Sequence, residues 1–110
     1  MKKEEVKIRL DDVSLEGILR TPEEIRGTVI FAHGSGSGRN SPRNNSVAES
    51  LTERGLRTFL FDLLTEDEDR DYEERFDIDK LSDRLFEVTD WFEDRYDTRE
   101  VGYFGSSTGA

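Results

Sequence analysis

Val101-Gly102-Tyr103-Phe104-Gly105-Ser106-Ser107-Thr108-Gly109-Ala110 is an apolar run that leads directly into Gly-x-Ser-x-Gly, with Ser107 at its centre. A strand followed by this pattern is a sharp turn into a helix that lifts a serine hydroxyl above the carboxyl edge of a sheet. Such a turn is strained and brings strand and helix close together. It needs small residues on both sides of the serine, and Gly105 and Gly109 supply them.

Working back from this segment, Ile78, Leu81, Leu85, Val88 and Phe92 recur at spacings of 3, 4, 3 and 4, which predicts a helix over 78–96 with one apolar face. Trp91, Phe92 and Tyr96 read as packing residues of that helix. Before it, the thirteen positions 65–77 hold eight acidic residues and two arginines and read as a solvated loop. They lack the Asp-x-Asp-x-Asp-Gly spacing of a calcium loop, and no metal site is expected. Thr58-Phe59-Leu60-Phe61-Asp62 and Thr28-Val29-Ile30-Phe31-Ala32 are strands apolar on both faces, as in a parallel sheet covered by helices on both sides. Between them, 33–45 is rich in Gly, Ser and Asn and reads as a long loop. Ser46-Val47-Ala48-Glu49 has the form of a capping box, and Gly55 stops the helix it opens. Val47, Ala48 and Leu51 are its expected buried stripe. At the N-terminal end, Val6–Leu10 and Leu15–Leu19 read as a hairpin turning at Asp11-Asp12. The expected order is β-β-β-α-β-α-β, an α/β architecture in a single domain. It divides into a hairpin (1–20), strand and loop (27–45), helix and strand (46–62), acidic loop (65–77), then helix, strand and serine turn (78–107).

Composition narrows the function classes. The 110 residues carry a formal charge of −10, with 38% charged and 33% hydrophobic residues. An acidic surface disfavours nucleic acid and anionic membranes as partners. Lysine is confined to Lys2, Lys3, Lys7 and Lys80, and a surface this acidic would also suit a salty cytoplasm. The absence of cysteine excludes disulfides, thiolate metal sites and a cysteine nucleophile. Neither a leader peptide nor a membrane span is legible, so the expected location is cytoplasmic.

With these elements in order, the chain resembles the N-terminal half of an α/β-hydrolase. The motifs behind the resemblance are the strand ending in His33-Gly34-Ser35-Gly36, the strand ending in Phe61-Asp62-Leu63, and Gly105-Ser106-Ser107-Thr108-Gly109. Within the superfamily it is similar to dienelactone hydrolase-like proteins, in a serine-bearing branch some of whose members are fused to a phosphoribosyltransferase domain. The resemblance implies a serine hydrolase acting on an ester or related acyl bond of a small molecule, without a cofactor. Ser107 matches the nucleophile, and the backbone N–H of Thr108 one oxyanion donor. Ser35, or Gly36 beside it, matches the second donor. Each such donor stabilises the developing charge by roughly 3 kcal/mol. Dienelactone hydrolases proper use a cysteine nucleophile, so the lactone substrate does not follow.

The triad acid and histidine of this fold come after the serine. His33, the sole histidine, is therefore expected to tie down the loop rather than to act as base, and Asp62 to anchor a loop or touch substrate. Arg39 and Arg43, with Asn40 and Asn44, would line the site from the loop and could hold an anionic group. With no base in position, the 110 residues alone are expected to be inactive. A final strand left at the sheet edge would invite association, either as a homo-oligomer or with another chain. Two other readings stay open. One is a nucleotide-binding α/β module, from the Gly34–Gly38 glycines and Asp62 at the end of the next strand, although the Gly-x-Gly-x-x-Gly spacing is not met. The other is a non-catalytic subunit that works by pairing.

Overall fold

The structure is a computed structural model that describes residues 1–10, 13–33, 41–63, 65, 78–96 and 101–106, with the backbone alone at 32–33, 78 and 104–106. Strands β1 (Lys2–Arg9) and β2 (Ser14–Thr21) form an antiparallel hairpin in the register Lys2↔Thr21 to Arg9↔Ser14. The Leu10 amide closes it by donating to the Val13 carbonyl at 2.9 Å. Both strands extend beyond the apolar alternation that announces them, because ladder pairing continues through Lys2, Lys3 and Arg20. The expected turn residues Asp11 and Asp12 lie outside the described residues.

Strand β3 (Gly27–His33), helix α1 (Pro42–Glu53), strand β4 (Leu56–Phe61), helix α2 (Ile78–Arg95) and strand β5 (Val101–Ser106) follow. The five-stranded sheet has the order β1-β2-β4-β3-β5. Strand β4 pairs antiparallel with β2 and parallel with β3, and β5 pairs parallel with β3 on its other side. The chain thus crosses the sheet one way through α1 and back the other way through α2. Right-handed crossovers taken in opposite directions put their helices on opposite faces.

The core divides accordingly. Phe31 and Leu60 meet Ala48 of α1, with Val29, Val47 and Leu51 alongside. On the other face Ile8, Leu15, Leu19, Ile30, Phe59 and Phe61 pack against Leu81, Val88 and Phe92 of α2. The Phe59 ring stacks on Phe61 and Trp91 and leans on Phe92, with centroids 5.4, 6.1 and 5.1 Å away. Gly17 is what lets these rings close against β2. A Cβ at this position would lie 3.0 Å from both Phe59 Cε1 and Phe61 Cβ.

One boundary differs from the sequence expectation. Helix α1 begins at Pro42, not after Ser46, and its N-cap is Ser41, whose hydroxyl accepts from the Asn44 amide at 3.3 Å. Proline at the first helical position has φ already set and no N–H to leave unpaired, so Ser41-Pro42 outcompetes the later Ser-x-x-Glu pattern. Glu49 faces Arg20 of β2 instead of reaching back to Ser46, its Oε1 3.8 Å from Arg20 Nη2. Gly55 ends the helix as expected, at φ +95°, a conformation that costs a residue with a side chain.

Candidate functional site

In sheets of this kind ligands bind outside the carboxyl ends of parallel strands, where successive connections diverge. Strands β3, β4 and β5 end there side by side. The β3–β5 ladder runs from Thr28↔Val101 to Ala32↔Gly105 and His33↔Ser106. The last paired residue of β5 is therefore the one before Ser107, and it lies directly opposite His33, where the Gly-Ser-Gly-Ser-Gly segment begins. On the other flank β4 ends at Phe61. The Asp62 amide donates to the Glu16 carbonyl at 2.9 Å and carries the β2–β4 pairing one residue further.

The expected site residues fall into three groups. Ser107, Thr108, Ser35, Gly36 and Arg39 lie outside the described residues, as does Asn40. His33 ends β3 and Asp62 directly follows β4, so both lie at the carboxyl edge of the sheet, and Asp62 is half-buried. Arg43 and Asn44 are not in a loop. They sit in the first turn of α1, Arg43 exposed and Asn44 buried. The acidic segment 65–77 lies outside the described residues except for Thr65. Among the described residues no group of three or more histidine, aspartate or glutamate side chains is assembled that could hold a metal ion. No described helix is long and apolar enough to cross a membrane.

Two buried arginines support this edge from behind. Arg84 of α2 donates from Nη1 to the Leu63 carbonyl at 3.1 Å, pinning the chain just past Asp62. The sequence reading missed it, and the one signal that could have found it is its position between Leu81 and Val88 on α2. Arg20 of β2 lies on the opposite face, under α1, and is 1% exposed. Its Nη2 donates to Asn45 Oδ1 at 2.7 Å, and Asn45 Nδ2 donates to the Ser41 carbonyl at 2.9 Å. Burial pushes the Arg20 guanidinium below its ordinary pKa, with the Glu49 carboxylate acting in the opposite direction. Its partial signal was the shared parity with Ile18 on β2, which places both on the face that α1 covers.

Set beside known proteins, the geometry has clear counterparts. No protein-family model matches the chain. A protein of Mycobacterium tuberculosis (strain H37Rv), named provisionally as a phosphoribosyl transferase, is 51% identical over 112 residues. The match takes in 100% of this chain and 25% of that relative, so the chain spans a quarter of its length. The crystal structure of dienelactone hydrolase from Anabaena variabilis superposes with a TM-score of 0.87 at 45% identity, over 98% of this chain and 53% of the hydrolase. The esterase Pf2001 of Pyrococcus furiosus shares the fold at 24% identity and a TM-score of 0.76, over 98% of this chain and 44% of the esterase. With the sheet order, the crossing pattern and this similarity in agreement, the chain has the fold of the N-terminal half of an α/β-hydrolase and is similar to dienelactone hydrolase over that half.

Proposed function

We propose that the chain forms the nucleophile-bearing half of a serine hydrolase that cleaves an ester or related acyl bond. The single observation that supports this most is the His33↔Ser106 pairing. It puts the residue before the glycine-rich segment opposite the residue before Ser107, which supports assigning the serine hydroxyl and the segment's amides to one edge of the sheet.

In this reading Ser107 Oγ attacks the acyl carbon while a base, supplied from outside these residues, takes its proton. The carbonyl π electrons move onto oxygen, and the N–H groups of Thr108 and of Ser35 or Gly36 donate to that oxyanion. Collapse expels the alcohol, which takes up the proton, and leaves an acyl group on Ser107. Water then repeats the sequence in reverse and releases the acid. His33 and Asp62 shape the edge, and Arg39 is assigned to an anionic substituent. Arg43, exposed in the first turn of α1, is the second candidate for that role.

The sheet order favours this reading over nucleotide binding. A dinucleotide fold places a third parallel strand beyond the one that ends in the ribose-binding acid. Here the neighbour of β4 is β2, which runs antiparallel to it. The mycobacterial relative's transferase name attaches to a protein of which these residues cover a quarter, and nothing in the sheet or its two helices requires it here. The outer edge of β5 has no partner strand among the described residues, and the proposal assigns it a further strand to pair with.

The test is labelling of the full-length protein with a fluorophosphonate, followed by peptide mapping and by hydrolysis of short-chain aryl esters. The expected adduct is on Ser107, and Ser107→Ala abolishes both labelling and turnover. An adduct on another residue, or ester turnover undiminished in Ser107→Ala, would refute the assignment.

A further inference from the structure

We propose that Arg20 is a positioning residue for this site: through Asn45 it fixes Ser41, the point at which the segment leaving His33 enters α1, and it does so at the expense of fold stability. The inference rests on the serine-hydrolase reading, which gives that segment its task.

The relay is continuous. Arg20 Nη2 donates to Asn45 Oδ1 at 2.7 Å, and Asn45 Nδ2 donates to the Ser41 carbonyl at 2.9 Å. The Asn45 amide reaches the same carbonyl at 3.0 Å, and the Ser41 hydroxyl caps the helix through the Asn44 amide. Ser41 is thereby tied to β2, a strand that lies under α1 but belongs to neither β3 nor β4. The other end of the segment is tied to β5 by the His33↔Ser106 pairing. The two ends of the segment that the hydrolase reading charges with oxyanion binding are thus referred to one rigid sheet.

The stability cost is visible in the same side chain. Arg20 Nε and Nη1 are buried and have no hydrogen-bond partner among the described residues. The facing carboxylate, Glu49, is 58% exposed and 3.8 Å away, too far and too wet to compensate fully. A buried guanidinium with spare donors is a poor choice for packing alone, since an apolar side chain of similar volume is often neutral or stabilising in such a place. What the guanidinium provides that methionine cannot is the bond to Asn45, beside a weaker attraction to the exposed Glu49.

This separates positioning from simple stabilisation. In the full-length protein, Arg20→Met should leave the urea midpoint unchanged or raise it. Amide exchange at 44–46 should quicken by about tenfold, and fluorophosphonate acylation of Ser107 should slow by roughly three- to tenfold, at an unchanged pH profile, because a displaced donor weakens only the reacting geometry. Arg20→Lys, which can still donate to Asn45, should recover most of the acylation rate. Asn45→Asp keeps an acceptor for Arg20 but removes the donor to Ser41. It should slow acylation to a similar extent, and the double variant Arg20→Met/Asn45→Asp should be no slower than either single one. A midpoint that falls in proportion to the acylation rate overturns the proposal, as does unchanged exchange at 44–46 or additive losses in the double variant. Should Arg20→Met fail to fold, Asn45→Asp decides alone, and an undiminished rate overturns the relay. A wild-type protein that carries no label on Ser107 refutes the hydrolase reading, while the exchange measurement still reports whether Arg20 holds the α1 turn.

Discussion

Replacing Gly17 with alanine sets two opposing effects against each other in the middle of β2. A glycine in a strand interior is entropically unfavourable, so a methyl group there would ordinarily stabilise by about 0.5–1 kcal/mol. Here the added carbon would lie 3.0 Å from Phe59 Cε1 and Phe61 Cβ and 3.1 Å from Phe59 Cζ. Carbon atoms at rest keep about 3.5–4.0 Å, so roughly half an ångström or more must be found. Neither neighbour can retreat. Phe61 Cβ is attached to the backbone of β4, which is hydrogen-bonded to β2 on one side and β3 on the other. The Phe59 ring is hemmed in by Phe61, Trp91 and Phe92. Overpacking of this type costs about 1–3 kcal/mol, which exceeds the entropic gain, and Gly17→Ala should destabilise by about 1–2 kcal/mol net. In urea unfolding followed by far-ultraviolet circular dichroism, the midpoint should fall by about 0.5–1 M. In a Phe59→Leu background, where the ring is absent, the same substitution should cost at least about 0.5 kcal/mol less. A midpoint that rises in Gly17→Ala, or an equal shift in both backgrounds, would refute the packing argument.

The remaining expectations concern boundaries, core and charge. Gly55→Ala forces a side chain into a φ of +95° and should cost about 1–3 kcal/mol by thermal melting, whereas an unchanged melting temperature would mean that the helix end relaxes freely. Ser41→Ala should cost about 0.5–2 kcal/mol if Ser41 is the N-cap, and Ser46→Ala close to nothing, which a paired melting experiment decides directly. Phe92→Ala removes a ring packed on Phe59 and Tyr96 and lying 5.3 Å from the Arg57 guanidinium carbon, a loss of about 3–5 kcal/mol in denaturant titration. A chain at −10 repels itself, so raising sodium chloride from about 50 mM to about 1 M should raise the melting temperature, and a fall would show that specific ion pairs outweigh net repulsion.

The fold was legible wherever apolar residues outnumbered alternatives. The runs 28–32 and 58–62 could only be buried strands, and Leu81, Val88 and Phe92 could only share one helix face. The start of α1 was not legible in the same way, because two serines competed for the cap. The pattern Ser46-x-x-Glu49 looked stronger, yet Pro42 behind Ser41 nucleates a turn earlier and Glu49 is drawn toward Arg20 instead. At the site, the strand ends could be placed because His33 and the residues around Ser107 sit in recognisable motifs. The arginines behind it escaped notice because charged residues are read as solvated by default. Arg84 and Arg20 are buried for reasons that lie elsewhere in the chain: a carbonyl at Leu63 and an amide side chain at Asn45. Only tertiary contact brings those partners into reach.

The ladder joining His33 to Ser106 has an evolutionary corollary. In the proposed function, the segment that binds the oxyanion and the turn that carries the nucleophile both leave one hydrogen-bonded seam, at His33 and at Ser106. On that proposal, drift at the exposed positions of α2, away from the Arg20–Asn45–Ser41 relay, would leave this seam unchanged. Substrate preference would then diversify separately from the proposed catalytic step.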